Sequence, residues 1–234
     1  MNIRIAEMLD GAKSARGTAV IIDVFRAFSV ECYLFACGAR QIFAVGALET
    51  AYALKRRHPD ALLVGERHGV PLPGFDCGNS PALLKKLDLA GRTVIHTTSA
   101  GTQGIAAASA ADEILTGSLV NARAVADYLL SVRPENVTLV GMGLEARQRA
   151  DEDMLCARYI ASLLQGRPLK KTYMEKEIAG LKLSTGRRFF DPALQEAMPR
   201  EDFELCTDAD RFSFVIRALS RGEYYEMERI NSQK

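Results

Sequence analysis

Along this chain, apolar runs repeatedly end on an acid, an arginine or a hydroxyl set beside glycine. TAVIIDVFR delivers Asp23 and Arg26, and ALLVGERHG delivers Glu66, Arg67 and His68. RTVIHTTSAGT delivers Thr97, Thr98, Ser99, Gly101 and Thr102. EILTGSLVN delivers Gly117, Ser118 and Asn121, and NVTLVGMG leads one loop later to Asp151, Glu152 and Asp153. These residue types suit an anionic substrate. Arginine offers a planar fork to a phosphate, and a hydroxyl-and-glycine turn opening a helix, as TTSAGT does, offers backbone N–H groups to the same anion. Carboxylates beside such a site would repel the substrate unless they hold a divalent cation, and Mg²⁺ takes a few carboxylates together with phosphate oxygens and water. The chemistry indicated is phosphoryl transfer, in which positioning and charge neutralisation carry the reaction.

Taken singly, each group also has a structural use. Asp23 can cap the helix after it, TTSAGT can be an ordinary helix start, and acids at 151–153 favour a helix dipole in any case. His68 reads as a surface residue, and His96, inside an apolar run, as a packed core histidine. The functional signal is that the groups gather at one end of the elements. The segment GERHGVPLPGFDCGNSP (65–81) strengthens it. Its glycines and prolines fit neither a helix nor a strand, and they mark a loop that holds a set shape. The proline rings also lower the entropy cost of ordering it.

The positioning elements follow from periodicity. Strands are expected at 3–8, 18–24, 41–46, 61–65, 92–98, 113–117 and 136–141, alternating with helical segments, the last of them DEDMLCARYIASLLQG. Asn79 or Ser80 caps a helix that has Pro81 in its first turn. Alternation of this kind predicts an α/β protein, three layers α/β/α around a mainly parallel sheet, with ligands outside the carboxyl ends of the strands. After Gly166 the pattern weakens into helical segments around the polar STGRR, a region suited to act as a cap or lid (167–234) on one domain spanning 1–234.

Composition excludes several classes. Lys+Arg 30 against Asp+Glu 29 gives a net charge of +1, with no general pull toward nucleic acid or anionic lipid. The chain has no apolar run of membrane-spanning length and begins without a secretory signal. Cys32, Cys37, Cys77, Cys156 and Cys206 are odd in number and form no CxxC pair, which argues against a disulfide framework or structural zinc and fits a cytoplasmic setting. No P-loop and no C-x5-R phosphatase loop occurs. VTLVGMGLEA carries G-x-G-x-x-A, yet no acid-ended strand follows at the spacing a dinucleotide fold needs.

Taken in order, VIIDVFRAFSV (20–30), GERHGVPLPGFDCGNSP (65–81), HTTSAGT (96–102), LTGSLVNA (115–122) and DEDMLCA (151–157) resemble the 2-phosphosulfolactate phosphatases, the ComB family of coenzyme M biosynthesis. The resemblance runs over nearly the whole chain. It implies a Mg²⁺-dependent hydrolase that splits a small acidic phosphate monoester into sulfolactate and inorganic phosphate. Its pattern assigns catalysis to Asp23, Arg26, Glu66, Arg67 and Asp76. It assigns substrate binding to Asn79, Ser80, Thr97, Thr98, Ser99, Gly101, Thr102 and Asn121, and the metal to Asp23, Glu66, Asp76 and Asp153. This chain departs from the family pattern at Phe28, where a small hydroxyl residue is usual, at Ala100, where asparagine is usual, and in the long GLEARQRADED approach to the last acids. Phe25 stands two places after Asp23, where haloacid-dehalogenase-type phosphatases carry their general acid. Attack by a metal-activated water is therefore expected rather than a phospho-aspartate. A non-catalytic binder of phosphorylated metabolites is the competing reading, and retention of every carboxylate favours the enzyme. The partner expected is a small anionic ester, without nucleic acid or membrane; the sequence leaves the oligomeric state, a homo-oligomer included, open.

Overall fold

The computed structural model describes residues 1–231. Continuous apolar runs form the central strands because both faces are buried. Every residue of β2 (Thr18–Ile22) is buried, and its side chains alternate: Val20 and Ile22 enter one core, Ile21 another. β1 (Asn2–Glu7) is the edge strand, paired in parallel with β8 (Asn136–Gly141). β8 pairs with β2, and β2 with β7 (Glu113–Gly117), all parallel. A second parallel set comprises β3 (Gln41–Ala44), β6 (Thr93–Thr97) and β4 (Leu62–Arg67).

The two sets are joined by an antiparallel hairpin, β9 (Phe214–Ser220) and β10 (Tyr225–Asn231). β9 pairs with β7 and β10 with β3, giving a ten-stranded sheet of order β1-β8-β2-β7-β9-β10-β3-β6-β4-β5. The C-terminal region is thus helical, as expected, only through Thr207. Its last strands lie in the middle of the sheet. The loop expected to hold no regular structure also contributes: β4 runs on to Arg67, and β5 (Val70–Pro71) folds back on it, with Glu66 opposite Pro71.

Three antiparallel junctions separate β7 from β3, so the two parallel sets run in opposite senses along the ladder. Between them lies α2 (Ala27–Ala36), whose residues from Ala27 to Phe35 are all buried, as expected for a helix apolar on every side. The core around it takes Ile21, Ile42, Val64 and Val94 from both sets and Ile216 from the hairpin. The outer faces are covered separately. α6 (Ala122–Val132) and α7 (Asp151–Leu164) pack on Val20, Ile22, Val137 and Leu139, while α3 (Leu48–Arg57) packs on Phe43, Leu63 and Ile95. All five cysteines are free, and no helix among the described residues is long and apolar enough to cross a membrane.

Candidate active site

The turns after β2, β4, β6 and β8 converge on one cavity of about 240 Å³. Asp23, Phe25 and Arg26 enter it from the turn between β2 and α2, and Glu66 and His68 from the end of β4. Thr98, Ser99 and Ala100 come from the turn before α5 (Gly101–Ala107). Asn79 enters ahead of α4 (Pro81–Leu84), and Glu145 from the loop after β8.

Asp23 is buried, and its Oδ1 accepts a hydrogen bond from the Ala27 N–H at 3.2 Å, the first turn of α2. Its Oδ2 faces Gly101: a Cβ at residue 101 would stand 3.0 Å from that oxygen and 2.8 Å from Ala27 Cβ, so only glycine lets α5 close on the carboxylate. Burial pushes Asp23 up to about 7; the Ala27 amide and Arg188 oppose the rise, and Glu66 and Glu152 add to it.

Glu66 is also buried, but its oxygens are engaged. Oε1 accepts from the Ser99 N–H at 2.8 Å, and Oε2 accepts from Gly69 N–H at 2.6 Å and from Ser99 Oγ at 3.1 Å. This carboxylate staples the 65–81 loop to the turn after β6. Ser99 Oγ in turn accepts from the His68 N–H at 3.1 Å, and His68 Nδ1 meets Glu145 Oε1 at 2.7 Å across the mouth of the cavity. His68 is a surface residue, as its sequence position suggests.

The remaining sequence candidates divide. Asp153 accepts from Val24 N–H and Gly143 N–H, each at 2.8 Å, and so ties the ends of β2 and β8 together. Burial lifts it well above the carboxylate range, and Glu152 and Asp23 push it further. Thr98 and Thr102 bond reciprocally through side chain and backbone, which closes the first turn of α5. Ser80 caps α4, as expected, by accepting from the Leu83 N–H. Asn121 and Ser118 form a buried capping box and do not line the cavity.

Arg67 turns away from the cavity: it donates to the carbonyls of Glu66 and Gly46 and to Thr97 Oγ1 at 2.8 Å. Asp76 is exposed and accepts from the Leu63 N–H, fastening the loop to β4 at a distance from the other acids. The G-x-G-x-x-A segment opens no helix. Leu144 N–H closes a turn on Gln148 at 2.8 Å, and α7 starts only at Asp151.

The C-terminal segment supplies the groups that sequence spacing does not point to. Arg188, in a 3-10 turn at Thr185–Phe190, lines the cavity and donates from Nη2 to the Phe25 carbonyl at 2.9 Å, while its buried Nε has no partner. Burial lowers its pKa, and Glu152, Asp23 and Asp153 oppose that. Asp202, wholly buried in α9 (Arg200–Thr207), accepts from Arg26 Nη1 at 2.7 Å and also from Ser80 Oγ and the Ala82 N–H. Arg26 Nη1 donates as well to the Ala197 carbonyl. Arg26 itself lines the cavity, and no hydrogen bond among the described residues uses its Nη2 or Nε.

Residues 3–220 match the family model described as 2-phosphosulpholactate phosphatase. A protein named "Probable 2-phosphosulfolactate phosphatase" from Bacillus subtilis is 31% identical over 212 residues, 90% of this chain and 91% of its own. A protein of the same name from Carboxydothermus hydrogenoformans is 40% identical over 165 residues, covering 70% of this chain and 68% of its own. One from Deinococcus radiodurans is 40% identical over 147 residues, 62% of this chain and 61% of its own.

Proposed function

Since the chain belongs to the 2-phosphosulfolactate phosphatase family, we propose that it is a phosphoric monoester hydrolase that cleaves 2-phosphosulfolactate to sulfolactate and inorganic phosphate, with Mg²⁺ as cofactor. The observation that carries this reading is the pairing, in one small cavity, of a buried carboxylate with an open oxygen, Asp23, and the arginines Arg26 and Arg188.

The donor set fits a magnesium ion only in part. Among the described residues, no group of three or more His, Cys, Asp or Glu side chains is arranged to hold a metal. Mg²⁺ asks for less, since one or two carboxylates suffice when water and phosphate oxygens complete the shell. Asp23 and Glu66 line the same cavity, and Glu66 raises the pKa of Asp23, a repulsion that a divalent cation relieves. Asp23 would hold the ion through its open oxygen, with Glu66 beside it; Asp76 stands apart, and Asp153 does not line the cavity. When bound, the ion supplies charge neutralisation at the phosphate and acidifies water.

The chain's own groups then do the rest. Arg188 and the free edge of Arg26 bind the phosphate and the second acid group of the substrate. The oxygen of a water attacks phosphorus, the bond from phosphorus to the sulfolactate oxygen breaks, and the water's proton passes by way of Asp23 to that leaving oxygen. The raised value near 7 belongs to the metal-free site; a cation held at Asp23 would favour its ionised form, which can accept the water's proton. Phosphate release from 2-phosphosulfolactate should require Mg²⁺, vanish in EDTA and return with excess Mg²⁺. Full activity in EDTA removes the metal from this reading, and hydrolysis of other esters but not this one removes the substrate.

A second result separates the arginines. Arg188→Ala should raise KM for the trianionic substrate about ten- to hundredfold, the worth of a charge-assisted hydrogen bond, and should raise it less for p-nitrophenyl phosphate. Arg67→Ala should instead lower stability by about 1–3 kcal/mol, because the acceptors it serves lose their donor, with kcat/KM little changed. Comparing Tm and KM for the two variants checks the assignment.

A further inference from the structure

Behind the cavity, three buried polar side chains from distant parts of the chain form a line. Glu31 of α2 and His96 of β6 are fully buried, and Asn79 is nearly so. His96 Nδ1 lies 3.1 Å from Glu31 Oε1, and His96 Nε2 lies 3.1 Å from Asn79 Oδ1. Asn79 lines the cavity. Glu31 Oε2 is buried without any hydrogen-bond partner. None of the steps described above uses Glu31 or His96.

The proton count of this line follows from its burial. A bare carboxylate with one orphaned oxygen is costly in a fully buried place, so such a group takes up a proton or a counter-charge. Burial indeed raises Glu31, with His96 opposing. If the extra proton sits on Glu31, the acid donates to Nδ1, and the neutral imidazole carries its hydrogen on Nε2. If it sits on His96, both ring nitrogens carry hydrogens. In both of these arrangements Nε2 is a donor, which matches the Asn79 oxygen set 3.1 Å from it. A Glu31 proton on the orphaned Oε2 would instead leave Nε2 bare, and an NMR measurement at Nε2 tells the two apart. A donor at Nε2 takes the carbonyl oxygen of the Asn79 amide, and the amide nitrogen must then face the other way.

We propose that Glu31 and His96 are positioning residues that hold the Asn79 amide with Nδ2–H₂ directed into the cavity, where it donates to an anionic oxygen of the substrate. The identity of that oxygen rests on the phosphatase reading; the orientation of the amide does not. The neutral pair suits the task. It fixes a donor in the cavity that Asp23 also lines, without adding net charge to a site already rich in acids.

Two measurements on the intact protein test it. In ¹⁵N-labelled protein, imidazole NMR should show His96 Nε2 protonated and slowly exchanging; a bare Nε2 overturns the proposal, whatever the protein hydrolyses. With 2-phosphosulfolactate as substrate, Asn79→Ala and Asn79→Asp should each lose about ten- to hundredfold in kcat/KM, because each lacks the donor. Near-parental activity in Asn79→Asp means that an oxygen faces the cavity and sinks the idea. His96→Gln, which keeps an amide donor, should stay within about threefold, whereas His96→Leu should lose about as much as Asn79→Ala. The Asn79→Ala/His96→Leu double variant should be no worse than Asn79→Ala alone; losses that multiply point to a purely structural histidine. If the protein proves inactive on this ester, the NMR result still decides the orientation, and phosphatase failure is then a separate finding.

Discussion

Asp23→Asn should lose about a thousandfold or more in kcat while melting at a higher temperature than the parent protein at pH 8. Both effects come from one feature. The carboxyl is buried, and its pKa rises from 3.8 to about 7, so the folded state binds the proton more tightly than the unfolded chain does. That contribution is fully present below pH 3.8 and is lost as pH rises through about 7, so ionised Asp23 burdens the fold above neutrality by up to about 4 kcal/mol. Asparagine keeps the shape and the oxygen that accepts from the Ala27 N–H and carries no charge. It therefore removes the burden together with the group that handles the proton and the ion. Melting curves in EDTA from pH 4 to pH 9 check the stability half: the variant's advantage should be small at pH 4, grow up to about pH 7 and level off above it. Rapid acid quench with radiolabelled substrate checks the chemistry. Acid-stable label on the parent protein that disappears in Asp23→Asn would make Asp23 the nucleophile and overturn direct attack by water.

That Asp23 would matter is legible from the sequence, because an acid closing a fully buried strand stands out against TAVII. The parallel strands are legible for the same reason. β9 and β10 are not, since their charges break the apolar run: Arg217 and Glu228 sit directly opposite in the hairpin register and form an ion pair across it. A polar residue that pairs across strands looks, in one dimension, like a solvated helix face. The sense of the second strand set is hidden as well, because it depends on where that hairpin inserts.

The site itself is legible where a loop carries its own chemistry and obscure where it is assembled from afar. The 65–81 loop is odd in sequence because Glu66 must staple Gly69 and Ser99 to it. Arg67 and Asp76 share that loop, yet one serves the carbonyl of Gly46 and the other the strand beside it. A motif marks the segment and not the direction of each side chain. Arg188 and Asp202 reach Phe25 and Arg26 from far along the chain, where no spacing rule applies. The faint signals available are the polar TGRR run and an acid within the otherwise apolar face of DFELC. His96 reads as a packed core histidine, and it is one. Its bonds to Glu31 and Asn79 follow only from the packing of α2 against β6.

Asp202→Ala should destabilise the protein by about 3–5 kcal/mol, the cost of leaving a buried charge without its partner. For a chain of this size that is roughly 6–20 °C in Tm. The pair Arg26–Asp202 is almost inaccessible to water, with side chains 4% and 0% exposed. The same carboxylate also accepts from Ser80 Oγ and the Ala82 N–H at the start of α4, so its loss frees Arg26 and unfastens that helix from α9 at once. Asp202→Asn should cost less than Asp202→Ala: its amide oxygen can still accept at α4, although its NH₂ then faces Arg26 and cannot accept from it. Arg26→Met combined with Asp202→Leu should recover the part of the loss that comes from the unpaired Arg26 charge, but not the part from Ser80 and Ala82, which still lack their acceptor, and kcat/KM should stay low without Arg26 at the cavity. Measured by thermal melts and a double-mutant cycle, the coupling between positions 26 and 202 should be favourable and large. Additive losses would mean that Asp202 matters to α4 alone, and that Arg26 is held by the Ala197 carbonyl and by its packing over Phe189.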